Sequence, residues 1–317
     1  MNTEIGTDLS KALTLLQSGQ TVAVPTETVY GLAADANNDD AVLDIFKAKG
    51  RPTSNPLILH FASLAQALPY IEVFPEVFQK LASVFCPGPL TFIVPKSSLV
   101  SPLITGGQDT VAIRFPKHPT LQELLSALGR PLAAPSANLY GQLSPTTATH
   151  VLEQLTGRIP YILDGGACWE GLESTIIGLE NERVLIYRHG GVTTEALAEV
   201  LGYSPAAKVH EHNGVLTSGM VKHHYATQTP LFLGFKPSHE NQNALQITIG
   251  KNELITGPHL VLSQDAALTE AARNLYAALH EADAAQVLKI YVEPFPNNGL
   301  GLAMNDRLSR AAAKFAS

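Results

Sequence analysis

Cysteine is nearly absent from this chain: only Cys86 and Cys168 occur in 317 residues. Two thiols so far apart build neither a disulfide framework nor a thiolate metal site, and a reducing cytosol fits them. Metal spacing is missing among the eleven histidines too. No H-E-x-x-H pair occurs, and His223-His224, the nearest approach to a cluster, reads as part of a solvated linker. The chain lacks a G-x-x-x-x-G-K-[ST] phosphate loop and a G-x-G-x-x-G fingerprint. Ser174 lacks the G-x-S-x-G elbow of a hydrolase nucleophile. No uncharged apolar run approaches the roughly 20 residues of a membrane helix. Residues 1–20 have neither the basic start nor the apolar stretch of a signal peptide, and read as an amphipathic helix around Leu9, Leu13 and Leu16. The expectation is a soluble, cytoplasmic protein with no membrane contact. Positive charge is scarce: the net charge is −7. Residues 1–200 hold 12 Lys+Arg against 19 Asp+Glu, and residues 201–317 hold 9 against 9. That balance excludes a general nucleic-acid-binding surface.

What is present describes an ordinary globular protein, 45% apolar and 15% charged, long enough for two domains. Short apolar runs bounded by Gly or Pro predict strands over 21–24, 57–61, 90–95, 110–115, 131–134, 161–164, 174–179 and 183–188. Helical spacing predicts helices near 8–18, 39–48, 63–69, 75–84, 119–128, 147–156 and 193–201. The interleaving gives an α/β unit, and strands such as those in 174–188, too close for an intervening helix, make its sheet mixed. Residues 203–229 lose periodicity and read as a linker. From 230 onward, strands at 231–235, 245–249, 260–262 and 287–292 alternate with helices at 265–283 and 299–315, a small doubly wound, Rossmann-like unit. The expected domains are therefore 1–202, a linker over 203–229, and 230–317.

The most informative stretch is Pro25-Thr26-Glu27-Thr28-Val29-Tyr30-Gly31-Leu32, which follows the apolar run Val22-Ala23-Val24. It places hydroxyls and a carboxylate at a strand mouth. After the next helix come Lys47, Lys49, Arg51 and Asn55, followed by the apolar run 56–61. Cations at a helix end are commonly just solvated. They also suit a phosphate clamp, since a guanidinium grips two oxygens and a lysine adds a point charge. Other strand ends carry further polar groups. Arg114 closes 110–114, Ser136 and Asn138 follow 131–134, Ser174 opens the next strand, and Arg188 ends the last one before His189 and two glycines. Arg114 could pair with a surface carboxylate or hold a substrate carboxylate; Pro-Ser-Ala-Asn could be a simple capping loop. The pattern suits a small acid beside a polyphosphate.

These signatures in order resemble the L-threonylcarbamoyladenylate synthase family in its two-domain form, a YrdC-like catalytic domain followed by a smaller one. They are PTETVYGL at 25–32, K-x-R at 49–51 with Asn55-Pro56-Leu57, S-x-N at 136–138, ESTI at 173–176 and Tyr187-Arg188-His189-Gly190, with Gly299-Leu300-Gly301-Leu302-Ala303 and Asp306-Arg307 near the end. The resemblance implies a nucleotidyltransferase that joins L-threonine, bicarbonate and ATP into threonylcarbamoyl-AMP and releases pyrophosphate. A separate transferase complex would use the product to modify adenosine 37 of tRNAs reading codons that begin with A. Carried over by position, Thr28, His60, Arg114, Ala134 and Ser174 would hold threonine. Arg51, Asn55, Thr110, Ser136, Ser144, Arg188 and Tyr225 would hold ATP. Lys49, Arg51, Ser136 and Asn138 would form the catalytic set. Mg²⁺ would arrive with ATP rather than on protein side chains, with no tightly bound organic cofactor and weak or no direct tRNA binding. Residues 203–229 would close over the site as a lid. One departure stands out: Lys222-His223-His224-Tyr225-Ala226-Thr227 occupies the linker where the family usually carries Arg-His-Tyr-Ala-Pro. A directly RNA-binding module, a hydrogenase-maturation relative and a regulatory protein with a vestigial site are the competing readings. The second is disfavoured because acylphosphatase-like and zinc-finger segments are missing.

Overall fold

The computed structural model describes residues 2–208, 225–234, 243–251, 255 and 257–315. The strands of the N-terminal unit are β1 (Glu4–Gly6), β2 (Val22–Val24), β3 (Gly31–Asp35), β4 (Ile58–His60), β5 (Leu90–Pro95), β6 (Thr110–Arg114), β7 (Leu132–Ala133), β8 (Tyr161–Leu163), β9 (Thr175–Glu180), β10 (Arg183–Arg188) and β11 (Ala206–Ala207). They form one sheet in the order β1-β8-β2-β3-β7-β4-β6-β5-β9-β10-β11. Parallel pairs such as β4/β6 and β5/β9 alternate with antiparallel ones such as β2/β3 and β9/β10, so the sheet is mixed as expected. The predicted strands are present, with shifted ends.

β1, β3 and β11 lie where no strand was expected; β11, within the stretch read as a linker, pairs with β10. β3 reads Gly-Leu-Ala-Ala-Asp, poor in β-branched residues, and all five are buried. A strand covered on both faces shows no alternation, so only its neighbours β2 and β7 define it. β1 is a three-residue edge strand stitched to β8.

Helices α1 (Leu9–Gln17), α2 (Asp39–Lys49), α3 (Leu64–Ala67), α4 (Glu76–Phe85), α5 (Pro102–Thr105), α6 (Pro119–Leu128), α7 (Ala148–Leu155) and α8 (Thr194–Leu201) complete this unit. α2 matters most for function. Asn38 caps it by accepting from the Ala41 amide, and Asp39 and Asp40 favour its first turn. It stops at Gly50, whose φ of 64° is a left-handed conformation cheap only for glycine. That stop buries Lys49 on the inner face and sends Arg51 inward behind it.

The second unit has four parallel strands, β12 (Leu231–Leu233), β13 (Ala244–Thr248), β14 (His259–Val261) and β15 (Lys289–Val292), in the order β12-β15-β13-β14. They carry α9 (Leu268–Ala284) and α10 (Leu300–Ala312). The doubly wound expectation corresponds to this layer. Its core joins Leu231, Ile247 and Ile290 to Leu275, Leu279 and Leu308, and continues into Val29, Leu143 and Leu172 of the N-terminal unit through Tyr225. The two units therefore share one apolar cluster, which makes them a docked pair rather than beads on a string. Residues 209–224, which include Lys222, His223 and His224, lie outside the described residues.

Candidate active site

The strand ends converge. A cavity of about 40 Å³ is lined by Thr26, Val29, Gly31, Ile58, His60, Arg114, Ala134, Pro135, Ser136, Glu173, Ser174, Arg188 and Tyr225. Seven of the expected residues line it: His60, Arg114, Ala134, Ser136, Ser174, Arg188 and Tyr225. A larger hollow of about 310 Å³ opens between Gln154 and Asp283. None of Lys49, Arg51, Arg114 or Arg188 lines it, whereas Arg114 and Arg188 line the smaller one.

Thr26 builds the turn that shapes one wall. Its hydroxyl accepts from the Thr28 and Val29 amides at 3.0 and 3.1 Å. Thr28 is thereby aimed at Arg114, whose Nη2 donates to Thr28 Oγ1 at 2.9 Å. The same Nη2 stands 2.8 Å from Glu27 Oε1. That approach is close but poorly aligned: both Glu27 oxygens and Arg114 Nε lack hydrogen-bond partners among the described residues. Glu27 was read as lying at a strand mouth. It does lie past the end of β2, but it is wholly buried beside Arg114 and does not line the cavity.

His60 ends β4 beside Arg114, its register partner on β6. Burial, then the Arg114 charge, pushes its pKa down to about 3, so the ring is neutral near pH 7. Ser174 shares a 2.7 Å hydroxyl contact with Thr91 and receives Arg188 Nη2 at 3.1 Å. Arg188 also donates to the Ser174 carbonyl through Nε and Nη2.

The cation end is held by main-chain oxygens. Lys49 Nζ donates to the carbonyls of Ser136 and Asn138. The Ser136 hydroxyl donates to Asn138 Oδ1, so K-x-R and S-x-N form one network. Arg51 donates to the carbonyls of Asn55 and Pro56, and Asn55 Nδ2 reaches Tyr140 at 2.9 Å. Burial followed by Arg51 drives the Lys49 pKa well below its usual value. Arg51 falls to about 10, mainly through burial, with Arg188 opposing its charge and Tyr140 and Tyr225 supporting it. Among the described residues, neither Lys49 nor Arg51 forms an ion pair. Buried cations held by carbonyls, and for Arg51 also by the Tyr140 ring 6.0 Å away, carry a standing desolvation cost, which an incoming anion would offset.

Ser144 lies just outside the cavity lining, bonded to Glu173 at 2.6 Å. Thr110, unlike Lys49, Thr28, Asn138 and Ser144, has no hydrogen bond that ties its side chain to a lining residue among those described. It opens β6 opposite Pro95, four residues and about 13 Å of extended chain from Arg114, and does not line the cavity. Glu173 is the residue that sequence reasoning passed over, although it heads the ESTI motif. It is buried, and its carboxyl is held at about 2 by Arg307, Arg188 and Ser144 against the opposing effect of burial. Two buried tyrosines, Tyr225 and Tyr276, stand beside it with ring centres 6.0 Å apart.

A mixed sheet whose tips pool buried cations beside a neutral histidine and an arginine clamp defines a small-molecule enzyme of the anion-binding kind. The chain belongs to the family whose model is described as telomere recombination (Sua5, YciO and YrdC), matched over residues 14–190. Residues 192–313 match the threonylcarbamoyl-AMP synthase C-terminal domain. A threonylcarbamoyl-AMP synthase of Bacillus subtilis is 39% identical over 96% of this chain and 92% of its own. One from Pyrococcus abyssi is 39% identical over 94% and 92%. The crystal structure of P. abyssi Sua5 complexed with L-threonine superposes with a TM-score of 0.87 at 36% identity, covering 98% of this chain and 97% of that one.

Proposed function

We propose that this protein is a threonylcarbamoyl-AMP synthase that condenses L-threonine, bicarbonate and ATP, with release of pyrophosphate, for tRNA threonylcarbamoylation. The observation that carries the reading is the pooling of buried cations: Arg114 and Arg188 line the cavity with neutral His60, while Lys49 donates to the carbonyl of Ser136 in its wall and Arg51 feels the charge of Arg188. The near-full-length relatives share the same two-unit layout.

Threonine would lay its carboxylate on Arg114, with Thr28 and Ser174 near its polar groups and Ala134 against its side chain. Its amine, once neutral, attacks the bicarbonate carbon, and loss of water leaves a carbamate. A carbamate oxygen then attacks the α-phosphorus, the α–β phosphoanhydride bond breaks, and pyrophosphate leaves. Lys49, Arg51 and Arg188 gather the phosphate charge, and positioning rather than covalent catalysis carries the step. The carbamate is short-lived in water, so a dry enclosure protects it. Tyr225, buried over the chamber, supports a lid role for the preceding linker. Mg²⁺ would come on the triphosphate. The product would pass to a tRNA-modifying transferase in the cytoplasm. No described helix is long and apolar enough to cross a membrane.

The test is direct. The protein is incubated with ATP, bicarbonate and each amino acid in turn, and products are read by mass spectrometry. Threonylcarbamoyl-AMP forming with threonine supports the reading. Pyrophosphate release without any carbamoyl adduct, or none with threonine, rejects it.

A further inference from the structure

A carboxylate is out of place in a chamber built for anions. Glu173 is the one acidic side chain among the described residues that line the cavity, and Arg188 lines it too. Each of the two feels the other's charge. Left uncompensated, an ionised Glu173 would repel a triphosphate and draw Arg188 to itself. The second unit prevents this. Arg307, on α10, donates through Nε to Glu173 Oε2 at 3.0 Å. Tyr276, on α9, donates to Oε1 at 2.9 Å, and Ser144 Oγ donates to the same oxygen at 2.6 Å. Arg188 turns instead to Ser174, donating to its carbonyl and its hydroxyl.

Charge is what this contact between the units supplies. Arg307 is only 1% exposed. An ion pair so deeply buried is a poor way merely to dock two domains, because desolvation cancels much of the attraction and apolar residues would serve as well. Asp306, 3.0 Å from Arg307 Nη1, does not use that charge up, since Arg310 pairs with it at 2.9 Å. Across Glu173, Asp306, Arg188, Arg307 and Arg310, three cations meet two carboxylates, so the wall keeps a net positive charge. Without Arg307 the same set is neutral.

We propose that the second domain completes the anion chamber electrostatically: Arg307 is a positioning residue that holds Glu173 in a neutral pair and so keeps the field of Arg188 directed at the triphosphate. This rests on the ATP reading above. The second domain then governs polyphosphate affinity through a side chain that does not touch the ligand.

The experiment compares the full chain with its Arg307→Met, Arg307→Lys, Glu173→Gln and Glu173→Gln/Arg307→Met variants. Calorimetry measures binding of ATP, inorganic tripolyphosphate and L-threonine. Trp169 is the sole tryptophan, and its carbonyl accepts from Arg273 of α9 at 3.0 Å, so its fluorescence reports docking. Arg307→Met should weaken both polyphosphates alike by about tenfold or more, the effect of one unit charge about 10 Å away at an effective dielectric of about 20. Threonine, a zwitterion without net charge, should change less than about threefold. Arg307→Lys keeps the charge and should bind the polyphosphates within about threefold of wild type. Removing both charges in the double variant should restore polyphosphate affinity to within about threefold of wild type, a rescue that a purely structural role would not give. Glu173→Gln alone should bind ATP at least as tightly as wild type, because Arg307 then adds to the positive field. That variant decides the matter should Arg307→Met not fold. Weakening of ATP without tripolyphosphate overturns the proposal. So does a double variant or an Arg307→Lys variant as weak as Arg307→Met, or weaker ATP binding in Glu173→Gln. A wild-type chain that binds neither ATP nor tripolyphosphate refutes the ATP reading itself.

Discussion

Replacing Arg114 by methionine should damage stability and substrate binding through two separable causes. Glu27 is completely buried and its nearest charge is Arg114, 2.8 Å away. Removing the cation strands a carboxylate in the interior, which costs about 3–5 kcal/mol. At about 2–4 °C per kcal/mol for a unit of this size, the melting temperature should drop by about 6–20 °C. Binding is a different matter. A charge-assisted contact to the threonine carboxylate is worth about 1.5–3 kcal/mol, so affinity should fall about 10- to 150-fold. The double variant Glu27→Gln with Arg114→Met separates the two. With the stranded charge gone, most of the lost stability should return, while threonine affinity stays low. Melting followed by circular dichroism and calorimetric titration with L-threonine read both quantities. If the single variant melts like wild type, the buried-pair argument is wrong. If the double variant still binds threonine normally, Arg114 is not the carboxylate clamp.

Three further outcomes follow from the same site. Arg51→Ala should keep its circular dichroism spectrum yet lower ATP-dependent pyrophosphate release by on the order of 10²- to 10³-fold; unchanged turnover would remove the phosphate clamp. His60 titrates at about 3 when folded, below its unfolded value near 6.5, so its contribution is complete above pH 6.5 and is lost as pH falls toward 3. Between those limits wild type should lose about 1.4 kcal/mol per pH unit more than His60→Asn in denaturant titrations, and parallel profiles would contradict a buried neutral ring. A chain ending at residue 202 lacks Tyr225 and uncovers Val29, Leu143 and Leu172. It should lose synthesis and gain binding of a hydrophobic dye; full activity would end the lid role.

Local pattern determined much of this protein. Strands rich in Val, Ile and Leu, such as 90–95 and 110–114, and capped helices such as α2 declare themselves because one residue's neighbours suffice to set their backbone. The cation cluster was legible for the same reason: Lys47, Lys49 and Arg51 straddle one helix end. Tertiary structure decided what depends on distant partners. β3 is a strand because β2 and β7 flank it, not because Gly-Leu-Ala-Ala-Asp prefers to extend. Glu27 sits at a strand mouth, yet packing keeps it out of the cavity lining as the counter-charge of Arg114. Thr110 and Arg114 share a strand, but its length holds them at opposite ends. Glu173 shows the limit most clearly. Nothing in its own segment announces Arg307, which lies 134 residues further along. A charge buried between two domains exists only once both have folded, since only then is it removed from water and given its partners.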